Sequence, residues 1–150
     1  MEQNATRNRW GVWLVIGVAV FVLLASIYPL AVPVNDDDFV EATGVEWAEF
    51  SAAEPTVAEY LEREARLLGA LAVGFALLAL ALAVGPLRRG EASAWRVMWL
   101  FPLSLGLIAA VFLVEGGGFL GAFYLALSVL AALGLWLGRP DPAQSAQTTA

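Results

Sequence analysis

The sequence predicts an all-α polytopic membrane protein: a four-transmembrane-helix bundle with an acidic, partly helical outer loop. Three observations carry that prediction. The chain holds four uncharged apolar runs of span length. Its composition is 60% hydrophobic with a mean hydropathy of +0.73. Arginines and acids alternate from one inter-run segment to the next. One small water-soluble core cannot hide so much apolar side chain, so lipid must solvate most of it.

The uncharged runs cover residues 10–30, 67–87, 97–114 and 116–138. At 1.5 Å rise per residue, each crosses a hydrocarbon core about 30 Å thick. Lipid offers no partner to a backbone N–H or C=O, so each run is expected to close its own bonds as a helix. The spans are placed at about 10–30, 67–87, 97–114 and 118–138, with an outer loop over 31–66. Residues 1–139 then form one membrane domain. The tail 140–150 has too little apolar surface to fold by itself and is expected to be disordered.

Charge sets the direction. Arg7 and Arg9 precede the first run, Arg88 and Arg89 with Arg96 lie between the second and third, and Arg139 follows the fourth. The positive-inside rule assigns those segments, and both termini, to the cytoplasmic side of the plasma membrane. Asp36, Asp37, Asp38, Glu41, Glu46, Glu49, Glu54, Glu59, Glu62 and Glu64 lie in the first loop against only Arg63 and Arg66. That loop therefore faces out. Trp10, Trp13, Trp95, Trp99 and Trp136 fall near the arginine-bearing ends, and Tyr28, Tyr60 and Tyr124 toward the opposite side, as interfacial rings prefer. The first run also has the positive start of a secretory signal, but its length favours an uncleaved anchor.

Within the loop, Asn35 or Asp36 suits the N-cap of a short helix whose first turn is acidic, and Gly44 suits its end. Trp47 and Phe50, three apart, share a helical face. The pair is expected either to fold down as a lid over the bundle's outer mouth or to rest among headgroups on an interfacial helix. Pro55 fits the first turn of a further helix running into the second span. Glu59 with Arg63, and Glu62 with Arg66, have the favourable acid-first i,i+4 spacing. Arg66, at the edge of the span, is expected to pair with Glu62 or Glu115, or to snorkel.

Composition also excludes chemistry. The chain has no Cys and no His, which removes disulfides, thiol nucleophiles, imidazole bases and Cys/His zinc sites. No Asp, Glu or Arg falls in the middle of a run, so a membrane-embedded proton relay is not expected. Asp36, Asp37 and Asp38 lack the spacing of a calcium loop. The scattered arginines do not form a nucleic-acid surface. No cofactor is expected. The partners expected are the lipid bilayer and a second copy or another membrane protein.

Small residues mark candidate packing positions. Gly117 and Gly121 repeat at G-x-x-x-G spacing, as do Gly134 and Gly138. The rotation between the pairs is about 220°, so they face nearly opposite ways and suit two different neighbours. Two readings stand: one pair packs within the bundle and the other in an oligomer, or Gly138, before Arg139 and Pro140, simply ends the helix. Ser26, Ser104 and Ser128 are expected to bond back to a carbonyl one turn earlier.

The stretches "TGVEWAEF", Pro55, Tyr60, "RRGEASAW" and "MWLFP" resemble a group of small uncharacterised four-helix membrane proteins. The general layout is similar to the broad DoxX-like group. The first resemblance implies no catalytic residues; the second implies a link to quinone or thiol redox chemistry, against which the lack of Cys weighs. The leading expectation is a non-enzymatic accessory or apolar-ligand-binding bundle. The alternatives are a small-molecule carrier or channel subunit and a quinone-associated redox accessory. The candidate ligand rim is Trp47, Phe50, Tyr60, Arg66 and Glu115, with Tyr124 and Trp99 further in.

Overall fold

The computed structural model describes residues 2–114 and 117–139, with side chains from Arg9 onward. Glu115 and the tail 140–150 lie outside the described residues. The regular elements are all helical: α1 (Glu2–Ala31), α2 (Asp36–Thr43), α3 (Trp47–Ala53), α4 (Pro55–Leu82), a π-helical turn (Ala83–Leu87), α5 (Ala92–Met98), α6 (Leu100–Val114) and α7 (Gly118–Leu137). Among the described residues four stretches are long and apolar enough to cross a membrane: Arg9–Ala31, Pro55–Leu87, Ala92–Val114 and Gly118–Leu137. Only 22–28% of the most apolar window in each is buried within the protein. Leu24, Leu68, Leu71, Leu103 and Leu107 stand largely exposed. Apolar surface on that scale needs a lipid solvent, and the chain is a multi-pass membrane protein.

The second stretch is longer than the uncharged run within it. Its 33 residues reach about 50 Å, against a hydrocarbon core of about 30 Å. The first turns, with Glu59, Glu62, Arg63, Glu64 and Arg66, therefore stand in the polar region. The third stretch likewise starts at Ala92, placing Arg96 within its first turns.

Proline positions explain where the helices change. A proline lacks an N–H for the carbonyl four residues earlier and crowds it sterically. Four residues before Pro86 is Leu82, where α4 gives way to the wider π turn. Four residues before Pro102 is Met98, where α5 ends and α6 begins after Trp99. There Trp99 N–H bonds Arg96 O at 3.3 Å, a tighter i,i+3 contact. Gly90, at φ 79°, adopts the left-handed conformation that turns the chain from the π segment into α5.

Two compact units are distinguished, residues 21–77 and residues 1–20 with 78–150. In the first, α1 and α4 meet closely at Gly69, where a Cβ would lie 3.3 Å from Leu30 Cγ. In the second, the first half of α1 and the segments after residue 78 enclose a core in which Val15, Met98, Leu105 and Leu135 are almost wholly buried. α6 and α7 form its longest antiparallel pair. Two polar ties cross between helices here: Ser128 Oγ donates to Pro102 O at 2.7 Å, and Trp95 Nε1 to Leu135 O at 2.8 Å.

The two glycine pairs on α7 do face different neighbours, and both neighbours belong to this chain. A Cβ on Gly121 would fall 2.6 Å from Leu113 Cγ on α6. One on Gly134 would fall 2.8 Å from Val15 Cγ2 and 2.9 Å from Gly11 O on α1. Gly11 is the counterpart: its missing side chain makes room for Gly134 O and Gly138 N. Gly138 also closes α7, donating its N–H to Gly134 O at 2.8 Å.

This contact predicts a contrast. Gly134→Ala should destabilise the protein by about 1–3 kcal/mol through overpacking. Gly17→Ala, whose Cβ meets nothing within 4 Å, should be neutral or stabilising by up to about 1 kcal/mol from helix propensity. Thermal unfolding in mild detergent reads both, and equal midpoints would rule out the close α1–α7 approach.

Candidate functional site

The acidic segment folds locally, for reasons visible residue by residue. Asn35 Oδ1 accepts from Asp37 N–H at 3.4 Å, and Asn35 Nδ2 donates to Asp38 Oδ2 at 3.0 Å. Asp36, Asp37 and Asp38 fill the first turn of α2, where the helix dipole favours negative charge. Gly44, at φ 75°, ends α2 and donates to Val40 O. Thr43 Oγ1 donates to Phe39 O at 2.7 Å and accepts from Val45 N–H at 3.3 Å. The chain thus reverses into α3 within three residues.

That reversal lays three rings together. Trp47 and Phe50 stack at 5.7 Å between centroids. Phe39 on α2 meets Trp47 edge-on at 5.0 Å and Phe50 at 5.1 Å. Such pairs contribute about 0.5–1.5 kcal/mol each beyond area burial, enough to hold two helices of eight and seven residues. All three rings remain only half-buried, and α2 and α3 contain no fully buried residue. Beside them Asp36, Asp37, Val40, Glu41, Glu46 and Ala48 line an open acidic hollow. Among the described residues no group of three or more acidic side chains is arranged to hold a metal ion.

The other expected rim residues are described each within its own element. Tyr60 is exposed on α4, and Arg66 bonds Glu62 at 3.0 Å one turn earlier. Six residues apart on one helix, Tyr60 and Arg66 differ by about 120° in direction. Tyr124 stacks parallel on Phe112 at 5.7 Å and touches Phe123 edge-on. Trp99 meets Trp95 edge-on at 5.9 Å. Phe112 and Trp99 are about 20 Å apart along their arm of the α6–α7 pair, so Tyr124 and Trp99 lie at different depths. The structure brings Trp47 and Phe50 together and leaves Tyr124 and Trp99 in separate aromatic contacts.

Three features went unnoticed in the sequence. Phe39 completes the ring cluster, although an aromatic in the first turn of a short capped helix was a signal that it faced something. Trp95 spends its N–H on α7. Arg88 lies over the ring of Trp13, 5.6 Å from its centroid, a contact between residues 75 positions apart that no local pattern reports.

Comparison with protein-family models, with curated proteins and with solved structures finds no match for this chain.

Phe39→Ala should loosen the α2–α3 fold without touching the spans. Losing two ring contacts of about 0.7 kcal/mol each should raise amide exchange over residues 36–53 by about ten-fold. Unchanged exchange there would show that the rings do not hold the segment.

Proposed function

We propose that this chain is a non-enzymatic accessory protein of the plasma membrane, with both termini in the cytoplasm and the α2–α3 segment outside. It acts by contact, holding a partner or an apolar ligand, rather than by turning over a substrate. One observation carries this reading: three serines and a tryptophan on the spans are spent on structure. Ser26 donates to Val22 O, Ser104 to Leu100 O, Ser128 to Pro102 O and Trp95 to Leu135 O. Each of these tightens a helix or ties two together. The uncharged span interiors supply no proton carrier. The groups with surface to offer lie outside the spans, above all the half-buried rings of Phe39, Trp47 and Phe50 within a field of carboxylates.

Orientation is supported by the arginine distribution and is directly testable, because the chain lacks Cys. Asp37→Cys should react with a membrane-impermeant maleimide on intact cells, and Ser93→Cys should not. Equal labelling of both would end the assignment of sides.

Purification in mild detergent, followed by mass spectrometry of retained proteins and small molecules, tests the accessory role. A membrane protein retained in fixed ratio, or a bound apolar molecule, is the expected outcome. Solute movement by the purified chain alone in liposomes would replace this reading with that of a carrier.

A further inference from the structure

The unit formed by residues 1–20 and 78–150 carries arginine and tryptophan together at several helix ends. Arg9, Arg88, Arg89, Arg96 and Arg139 lie in or beside the helix ends that carry Trp10, Trp13, Trp95 and Trp136. Among the side chains described there, Glu91 is the one acid, and Arg89 takes it at 2.9 Å. Arg88 differs from Arg89. No described carboxylate lies within ion-pair distance of it, and its guanidinium rests over the Trp13 ring at 5.6 Å.

The ring face steadies the cation without using its N–H donors. Those donors form a planar fork that matches two oxygens of a phosphate. Arg9 stands one turn before Trp13 on α1, with Cβ atoms about 5–6 Å apart, so a second guanidinium is within reach of the same place. Depth is set by the indoles. Trp10 and Trp13 are 68% and 56% exposed, and exposed indoles on a span settle at headgroup level. Val84, one turn before Arg88 and toward the middle of the span, is also exposed. A ligand here meets two cations at headgroup depth and apolar side chain just below.

We infer that Arg88, steadied on Trp13 and joined by Arg9, binds the phosphate of an anionic phospholipid headgroup. The apolar surface below the cation selects a lipid over a soluble anion, since the acyl chains cover it. This inference needs the spans to lie in a bilayer. It does not depend on the accessory role or on which leaflet this end meets.

The test is native mass spectrometry of the full chain in mild detergent, titrated with phosphatidylglycerol or with phosphatidylcholine of the same acyl chains. Phosphatidylglycerol should be retained preferentially. Arg88→Gln, at an exposed position, should weaken its retention by about five-fold and leave phosphatidylcholine unchanged. Arg88→Lys, keeping the charge but losing the fork, should fall between. Arg66→Gln, removing a cation already paired with Glu62, should change nothing. Equal retention of the two lipids by the wild-type chain would overturn the inference, as would a preference that survives Arg88→Gln. An equal loss in Arg66→Gln would show bulk charge rather than a site. Displacement of the lipid by millimolar inorganic phosphate would assign the site to a soluble anion instead.

Discussion

Backbone groups that must find their hydrogen bonds inside the protein constrain this chain more than any side-chain contact does. Lipid supplies no donors or acceptors, so an unpaired backbone group in a span costs several kcal/mol. Helices satisfy that demand until a proline removes a donor. Two of the prolines do so: Pro86 at the end of its span, with the π turn after Leu82, and Pro102 near the middle of Ala92–Val114, with the break after Met98. Polar side chains nearby donate to backbone carbonyls, Ser128 to that of Pro102 and Trp95 to that of Leu135. Polar groups in the spans thus serve the backbone first.

The same solvent sorts the charges. Desolvating an ion is expensive, so the acids gather in the segment between the first two spans and on the first turns of α4. That segment cannot rely on a large apolar core, because acids interrupt it along its whole length. It folds through local devices: an Asn35 cap, acids on a helix dipole, a left-handed Gly44 and three rings in contact. Such a structure is small and open. Its half-buried rings are chemically the opposite of their carboxylate surroundings.

How much of this was legible in the sequence depended on the range of each interaction. Span existence, the Asn35 cap, the Gly44 stop and the Glu62–Arg66 pair all depend on residues within one or two turns, and each could be read from spacing. So could the opposite facing of the glycine pairs on α7, which follows from helix rotation alone. What the spacing could not provide was the identity of the facing neighbour. Gly11 has no partner glycine in its own helix at the expected spacing, so its role against Gly134 and Gly138 appears only when α1 and α7 meet. Ser128 was expected to bond within its own helix, but the close approach at Gly106, where a Cβ would lie 3.3 Å from Ser128 Oγ, makes the α6 carbonyl reachable instead. Arg88 over Trp13 and Trp95 against Leu135 are long-range for the same reason.

The use of both glycine pairs inside the chain has a consequence for association. Close backbone approach is what small-residue motifs supply, and on α7 the surfaces at Gly121 and Gly134 are already covered by Leu113 and by Gly11 with Val15. The outward face of α7 carries Leu125, Val129, Leu133 and Trp136 instead, at spacings of four, four and three. Residues at that spacing form one stripe of large side chains. A second helix packing there would interlock side chains at the greater axial separation that bulky residues impose, not at a glycine crossing. Association through α7, if a second copy is the partner, would therefore respond to truncation along that stripe and be indifferent to Gly121, whose substitution would disturb the fold of the single chain first.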